Sequence, residues 1–178
     1  QTDETDVDGK RMRWGKGAEK AAAYTRDILE KVKAMAPAKL WEAVDEIVMS
    51  SQRNRNDDHW AKVYNMPGFV SSATGGRGGI VTYNGSGLDE SSFLHEAGHC
   101  LADKMWGDTT PPPHSEYGSA QSVEGPVSGY GAASSAEDFA EACRMYGRKD
   151  PDDIGRVPHD VLKKEFPLKY DALQRIFS

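Results

Sequence analysis

Ser91-Ser92-Phe93-Leu94-His95-Glu96-Ala97-Gly98-His99-Cys100-Leu101-Ala102-Asp103 is the stretch on which the reading of this chain turns. Residues four apart on a helix stand one above the other on one face, so the imidazoles of His95 and His99 can reach a single ion. Leu94, Ala97, Leu101 and Met105 recur at helical spacing and predict a buried face, while His95, His99 and Asp103 line a neighbouring stripe. Asp89 and Ser91 offer N-cap oxygens, and Gly107 is the expected stop. With 5 His in 178 residues, random placement would produce His-Glu-x-x-His in about one chain of this composition in a hundred, so coincidence is a weak account.

Zinc accepts imidazole nitrogen in a tetrahedral shell, and a catalytic site uses three protein ligands and leaves the fourth position to water. Glu96 is placed to take a proton from that water, which is how His-Glu-x-x-His is read in metallopeptidases. A third ligand has to come from elsewhere. The richest candidate is Tyr130-Gly131-Ala132-Ala133-Ser134-Ser135-Ala136-Glu137-Asp138-Phe139-Ala140-Glu141-Ala142-Cys143-Arg144-Met145-Tyr146. Ser135 is the expected N-cap, with Asp138 three residues on, so Ala136 to Tyr146 is predicted helical. Glu137 and Glu141 then share a face, which allows Glu137 to bind zinc and Glu141 to hold a ligand histidine from behind. Two solvated glutamates on a surface helix are the plain alternative, disfavoured by a two-histidine site that still lacks a carboxylate.

Gly129-Tyr130-Gly131, then Glu137 seven residues after Tyr130, then Asp138-Phe139-Ala140-Glu141-Ala142, taken with His95-Glu96-Ala97-Gly98-His99 and Asp103, resembles the catalytic domain of anthrax lethal-factor-like zinc peptidases. The resemblance spans roughly residues 91–106 and 128–146. It implies an α+β, zincin-like domain: a small mixed sheet, an active-site helix and surrounding helices. It implies one zinc ion per chain held by His95, His99 and Glu137, with Glu96 as general base and Tyr130 as the hydroxyl that opposes charge on the oxyanion. Glu141 and Asp103 are expected behind the ligands. The implied reaction is hydrolysis of a peptide bond in a peptide or protein substrate, Glu96 passing the water's proton to the departing amine.

Outward from these segments, Ile80-Val81-Thr82-Tyr83 is the best strand candidate. It is either an ordinary core strand or, as in zinc peptidases of this design, one that lends its open edge to the substrate backbone. The glycines before it lack the Gly-Lys-Ser/Thr of a phosphate loop. Residues 107–129 are rich in Pro, Gly, Ser and Thr and predict a long loop that walls or covers the cleft. Residues 16–35 predict a helix with Tyr24, Ile28, Val32 and Met35 inward, and Ala38 to Ser50 a second with Leu40, Trp41, Val44, Ile47 and Val48 inward. His59-Trp60 opens a region of β-type residues, and two short helices split by Pro167 close the core with residues from Val161 to Phe177. His59, His114 and His159 are expected outside the site.

The length fits one domain at 13–178, preceded by a mobile acidic tail at 1–12. The chain starts at Gln1 without a methionine or an apolar signal segment, so a secreted or excised protein is expected rather than a cytoplasmic one. Net charge is −6 with scattered basic residues, which argues against a nucleic-acid partner, and no apolar run reaches the length of a membrane span. A monomer is expected. Cys100 and Cys143 make no metal-binding pair; two small buried thiols are favoured over a single bridge. Two rival readings remain at this point, a non-catalytic zincin-fold binding or assembly module of a larger toxin or phage particle, and a regulatory metal-binding protein. The presence of Glu96 and Tyr130 argues against both, since neither needs a base.

Overall fold

The computed structural model describes residues 2–178. Among them, five strands and eight α-helices form an α+β domain: β1 Thr2–Val7, β2 Lys10–Gly15, α1 Glu19–Met35, α2 Ala38–Glu42, β3 Glu46–Met49, α3 Asp57–Val63, β4 Ala73–Gly76, β5 Gly79–Thr82, α4 Glu90–Trp106, α5 Glu116–Gln121, α6 Ser135–Gly147, α7 Pro158–Glu165 and α8 Pro167–Phe177. The sheet runs in the order β1-β2-β3-β5-β4, antiparallel at its two hairpins and parallel where β3 meets β2 and β5. Met12, Ile47, Met49, Ile80 and Thr82 are wholly buried and alternate with less buried Arg13, Glu46, Val48 and Val81, so one face carries the core. On that face α1 lies over β2, and α4 over β4 and β5. Among the described residues no helix is long and apolar enough to cross a membrane.

Four local expectations change. Residues 2–12 are not a loose tail: they pair across the Asp8-Gly9 turn, and Met12 is fully buried. Both turn residues take positive φ, the geometry whose twist suits a two-residue hairpin. Lys10 is buried, with its Nζ donating to the carbonyl of Trp41 near the end of α2 and to that of Val44 just beyond it. The helix expected over Ala38 to Ser50 stops at Glu42, and Ile47 and Met49 alternate with Glu46 and Val48 in β3. The β-type region expected from His59 begins instead within α3. Finally, β5 is paired on both sides, so Ile80–Thr82 has no open edge; the edge belongs to β4.

The helix of the opening motif forms as its caps dictate. Asp89 accepts from Ser92 N at 2.7 Å, and Gly107 closes the far end in the left-handed conformation. Phe93, Leu94, Ala97 and Leu101 are buried, whereas Met105 is exposed; in the same last turn it is Trp106 that packs on the core, edge-on to Phe139. Tyr24 of α1 and Leu168 of α8 likewise face outward rather than inward. The 107–129 loop contains α5, whose Tyr117 packs edge-on against Phe139 at 4.9 Å. α7 and α8 pack against α6.

Candidate metal centre

α4 and α6 cross closely enough to bring their polar faces together, and Gly98 is what permits it. A Cβ there would stand 2.9 Å from Ala140 Cα and 3.1 Å from Cys143 Cβ. The N-cap of α6 is Ser134, not Ser135: its Oγ accepts from Glu137 N at 3.1 Å. Ser135 instead donates to Gln121 Oε1. Asp138 does not act in the cap either. It is buried, takes hydrogen bonds from Val127 N, Tyr117 Oη and Gln121 Nε2, and pairs with buried Lys169 at 2.8 Å. The first turn of α6 is thereby fastened to the 115–127 segment and to α8.

His95, His99 and Glu137 converge at this crossing, with one donor atom from each lying within 4.8 Å of the others. Glu137 Oε2 is 3.0 Å from His95 Nε2, and Oε1 is 2.8 Å from His99 Nε2. His95 Nδ1 meets Glu141 Oε2 at 2.9 Å, so the ring is held between the two glutamates with Nε2 turned to Glu137. Two imidazole nitrogens and a carboxylate oxygen at these separations are a donor set of the kind that holds a divalent metal ion. Glu141 is in turn gripped by Ser128 Oγ at 2.8 Å and by the Arg144 guanidinium at 2.8 and 3.2 Å. Asp103, expected behind the ligands, lies elsewhere: it accepts from Arg77 N at 2.7 Å in the β4–β5 turn. His99 Nδ1 is buried without a hydrogen-bond partner.

The electrostatics fit a site built around positive charge. Burial disfavours the charged form of every group here, yet His95 is raised to about 10 because its bonds to Glu137 and Glu141 outweigh burial. Burial also opposes ionisation of the two glutamates, and is overcome: His95 and His99 hold Glu137 at about 2, while His95 and Arg144 hold Glu141 at about 2. His95 and the two carboxylates thus shift one another in opposite directions, the histidine up and both glutamates down. Glu96 is different. Burial raises its carboxyl above the usual range even against the two histidines, which is the direction a general base needs.

His95, Glu96, His99, Glu137, Glu141 and Tyr130 all border one cleft of about 550 Å³. Tyr130 is half exposed, stands edge-on to His95 at 5.2 Å, and has its phenol pushed up by burial and by Glu137. Edge strand β4 and the side chains of Trp60, Tyr64, Phe69 and Val70 line the same cleft. β4 comes so near α4 that a Cβ on Gly75 would lie 2.3 Å from Glu96 O, and glycine alone fits there. That aromatic wall, Arg144 and Ser128 were not anticipated; the i, i+4 spacing of Trp60 and Tyr64 and the i, i+3 spacing of Glu141 and Arg144 were the available signals. His59 and His114 are exposed and outside the cleft, and His159 is bonded to Tyr146 O and near Tyr170 Oη, a packing role. No protein-family model matches the chain, and no curated protein matches it in sequence.

Proposed function

We propose that the chain is a zinc-dependent endopeptidase of zincin-like, lethal-factor-like design. The observation that carries this reading is the pair of Nε2 atoms of His95 and His99 turned to one carboxylate, Glu137, with the desolvated Glu96 bordering the same cleft. A metal held by those three residues would acidify a coordinated water and polarise a carbonyl. Glu96, its carboxyl already raised, takes the proton of the attacking water and returns it to the departing amine. Tyr130 at the cleft mouth, kept protonated to high pH, donates a hydrogen bond to oxygen as charge grows there. β4 offers its unpaired edge to an extended substrate, which argues for a polypeptide over a small molecule.

The test separates metal from chemistry. Purified protein should carry about one zinc per chain, following the three-ligand rule, and His99→Ala should lose most of it. Glu96→Gln should keep the zinc and lose roughly 10²–10⁴-fold in peptide cleavage. Zinc retained in full by His99→Ala would remove the assignment. A zinc-loaded parent protein that cleaves no peptide in a diverse library would favour the non-catalytic module instead.

A further inference from the structure

The cleft wall formed by Trp60, Tyr64, Phe69 and Val70 is unexplained by the metal centre. Trp60 and Tyr64 stand one turn apart on α3 with rings nearly parallel, 18° and 5.6 Å between centroids, and Phe69 meets Tyr64 edge-on at 5.7 Å. None of the four belongs to the hydrophobic core. Val63, Met66 and Val70, on the same segment, are each more than half exposed. In a chain whose mean hydropathy is −0.68, such a concentration of apolar groups in water marks a place where something docks.

The wall is also built to hold its position. Asp57, wholly buried in the first turn of α3, accepts from the Ser71 backbone N at 3.2 Å and from the Ser71 hydroxyl, and Asn54 Nδ2 reaches the same hydroxyl at 3.3 Å. Ser71 leads within two residues into β4, so these hydrogen bonds tie α3 to the segment that enters the open strand edge. A peptide paired to that edge points alternate side chains the same way. Trp60, Tyr64, Phe69 and Val70 line the same cleft as His95, Glu96, His99 and Glu137, so the wall borders the reacting centre. Arg144, the cleft's cation, is already engaged by Glu141 and offers little to an acidic side chain.

We infer that this wall is a side-chain subsite selecting peptides that carry a bulky apolar residue, aromatic or large aliphatic, beside the bond to be cut. The inference rests on the peptidase reading, and it deepens that reading by naming the substrate class. Hydrophobic pockets discriminate by about 10–200-fold per step in side-chain size, so a peptide with Phe or Leu at that position should exceed its Ala counterpart by at least about tenfold in kcat/KM.

The experiment pairs cleavage with binding. Peptides differing only as Phe, Leu, Ala or Asp at each position near the cut are assayed with zinc-loaded parent, Trp60→Ala, Tyr64→Ala and Tyr64→Phe. Binding of the same peptides to zinc-loaded Glu96→Gln is followed by isothermal titration. The Phe-to-Ala ratio should collapse towards one in Trp60→Ala and Tyr64→Ala and survive in Tyr64→Phe, with unchanged thermal unfolding showing that the fold is intact. Cleavage without an apolar preference, or a preference indifferent to both alanine variants, overturns the subsite. Cleavage of nothing, with apolar preference in binding intact, overturns the peptidase reading and keeps the subsite. Self-association abolished by Trp60→Ala would show that a second copy covers the wall, and would overturn it as well.

Discussion

Glu141 governs the candidate centre at the scale of single residues, because its two oxygens answer to three partners. One oxygen fixes His95 through Nδ1, and the other receives the Ser128 hydroxyl, with Arg144 spanning both. Ser128 also accepts from Gly131 N at 3.1 Å, so the turn that carries Tyr130 is bolted to the carboxylate that orients a ligand. Three substitutions should therefore fail differently. Glu141→Gln removes the charge behind His95 and should cost about 10–100-fold in zinc affinity, read by chelator competition. Tyr130→Phe touches no ligand; zinc affinity and KM should hold while kcat falls by on the order of 10²-fold or more. Ser128→Ala should fall between them, lowering kcat through a loosened Tyr130 turn and weakening zinc only slightly, with Ser128→Thr restoring much of the loss. Parental kcat in Ser128→Ala would show that the tie to the Tyr130 turn carries no function.

At the scale of elements, the centre exists because α4 and α6 approach closely, and the approach depends on absent side chains. Gly98→Ala would force apart backbones that now leave no room for a methyl group. Overpacking of this kind costs about 1–3 kcal/mol, against about 1 kcal/mol returned by alanine's better helix propensity. Thermal unfolding should therefore show a modest loss, while zinc affinity should fall sharply, since His95 and His99 move away from Glu137. Undiminished affinity would mean that the crossing distance is not critical. These two helices were legible in the sequence because each announces itself twice, by periodic apolar residues and by a cap, Asp89 for one and a serine before Glu137 for the other. β3 was not legible: Leu40, Trp41, Val44, Ile47 and Val48 match a helical stripe, and a four-residue strand offers too little alternation to compete. The amino-terminal hairpin did carry its signal, Asp8-Gly9, but acidic flanks masked it and β1 is largely exposed. The edge role passed from β5 to β4 because strand order depends on which partners arrive on each side, and local residues do not encode that.

For the molecule as a whole, one cleft draws its lining from β4 and the α3 segment, from α4, and from α6 with the Tyr130 turn. What keeps them in register is burial around α4 and α6, and the two thiols report on it. Cys100 Sγ donates to Gly79 O at 3.3 Å, tying α4 to β5, while Cys143 lies under Gly98 at the crossing; both are free and buried. Burial raises the Cys100 thiol to about 12 and the Cys143 thiol further still. A thiol whose folded pKa exceeds the unfolded value of about 8.5 leaves stability intact below that pH and removes it as pH rises through the folded value. Two measurements follow from that sign. Ellman's reagent at pH 8 should label neither cysteine in native protein and both in denaturant, with the labelling transition coinciding with loss of tertiary signal. Above about pH 9 the unfolding temperature should fall less steeply in a Cys100→Ala, Cys143→Ala double variant than in the parent, because the unfolded chain then gains no thiolates. Rapid labelling of either thiol in the native state would mean that the α4–α6 crossing opens on that timescale, and with it the convergence of His95, His99 and Glu137.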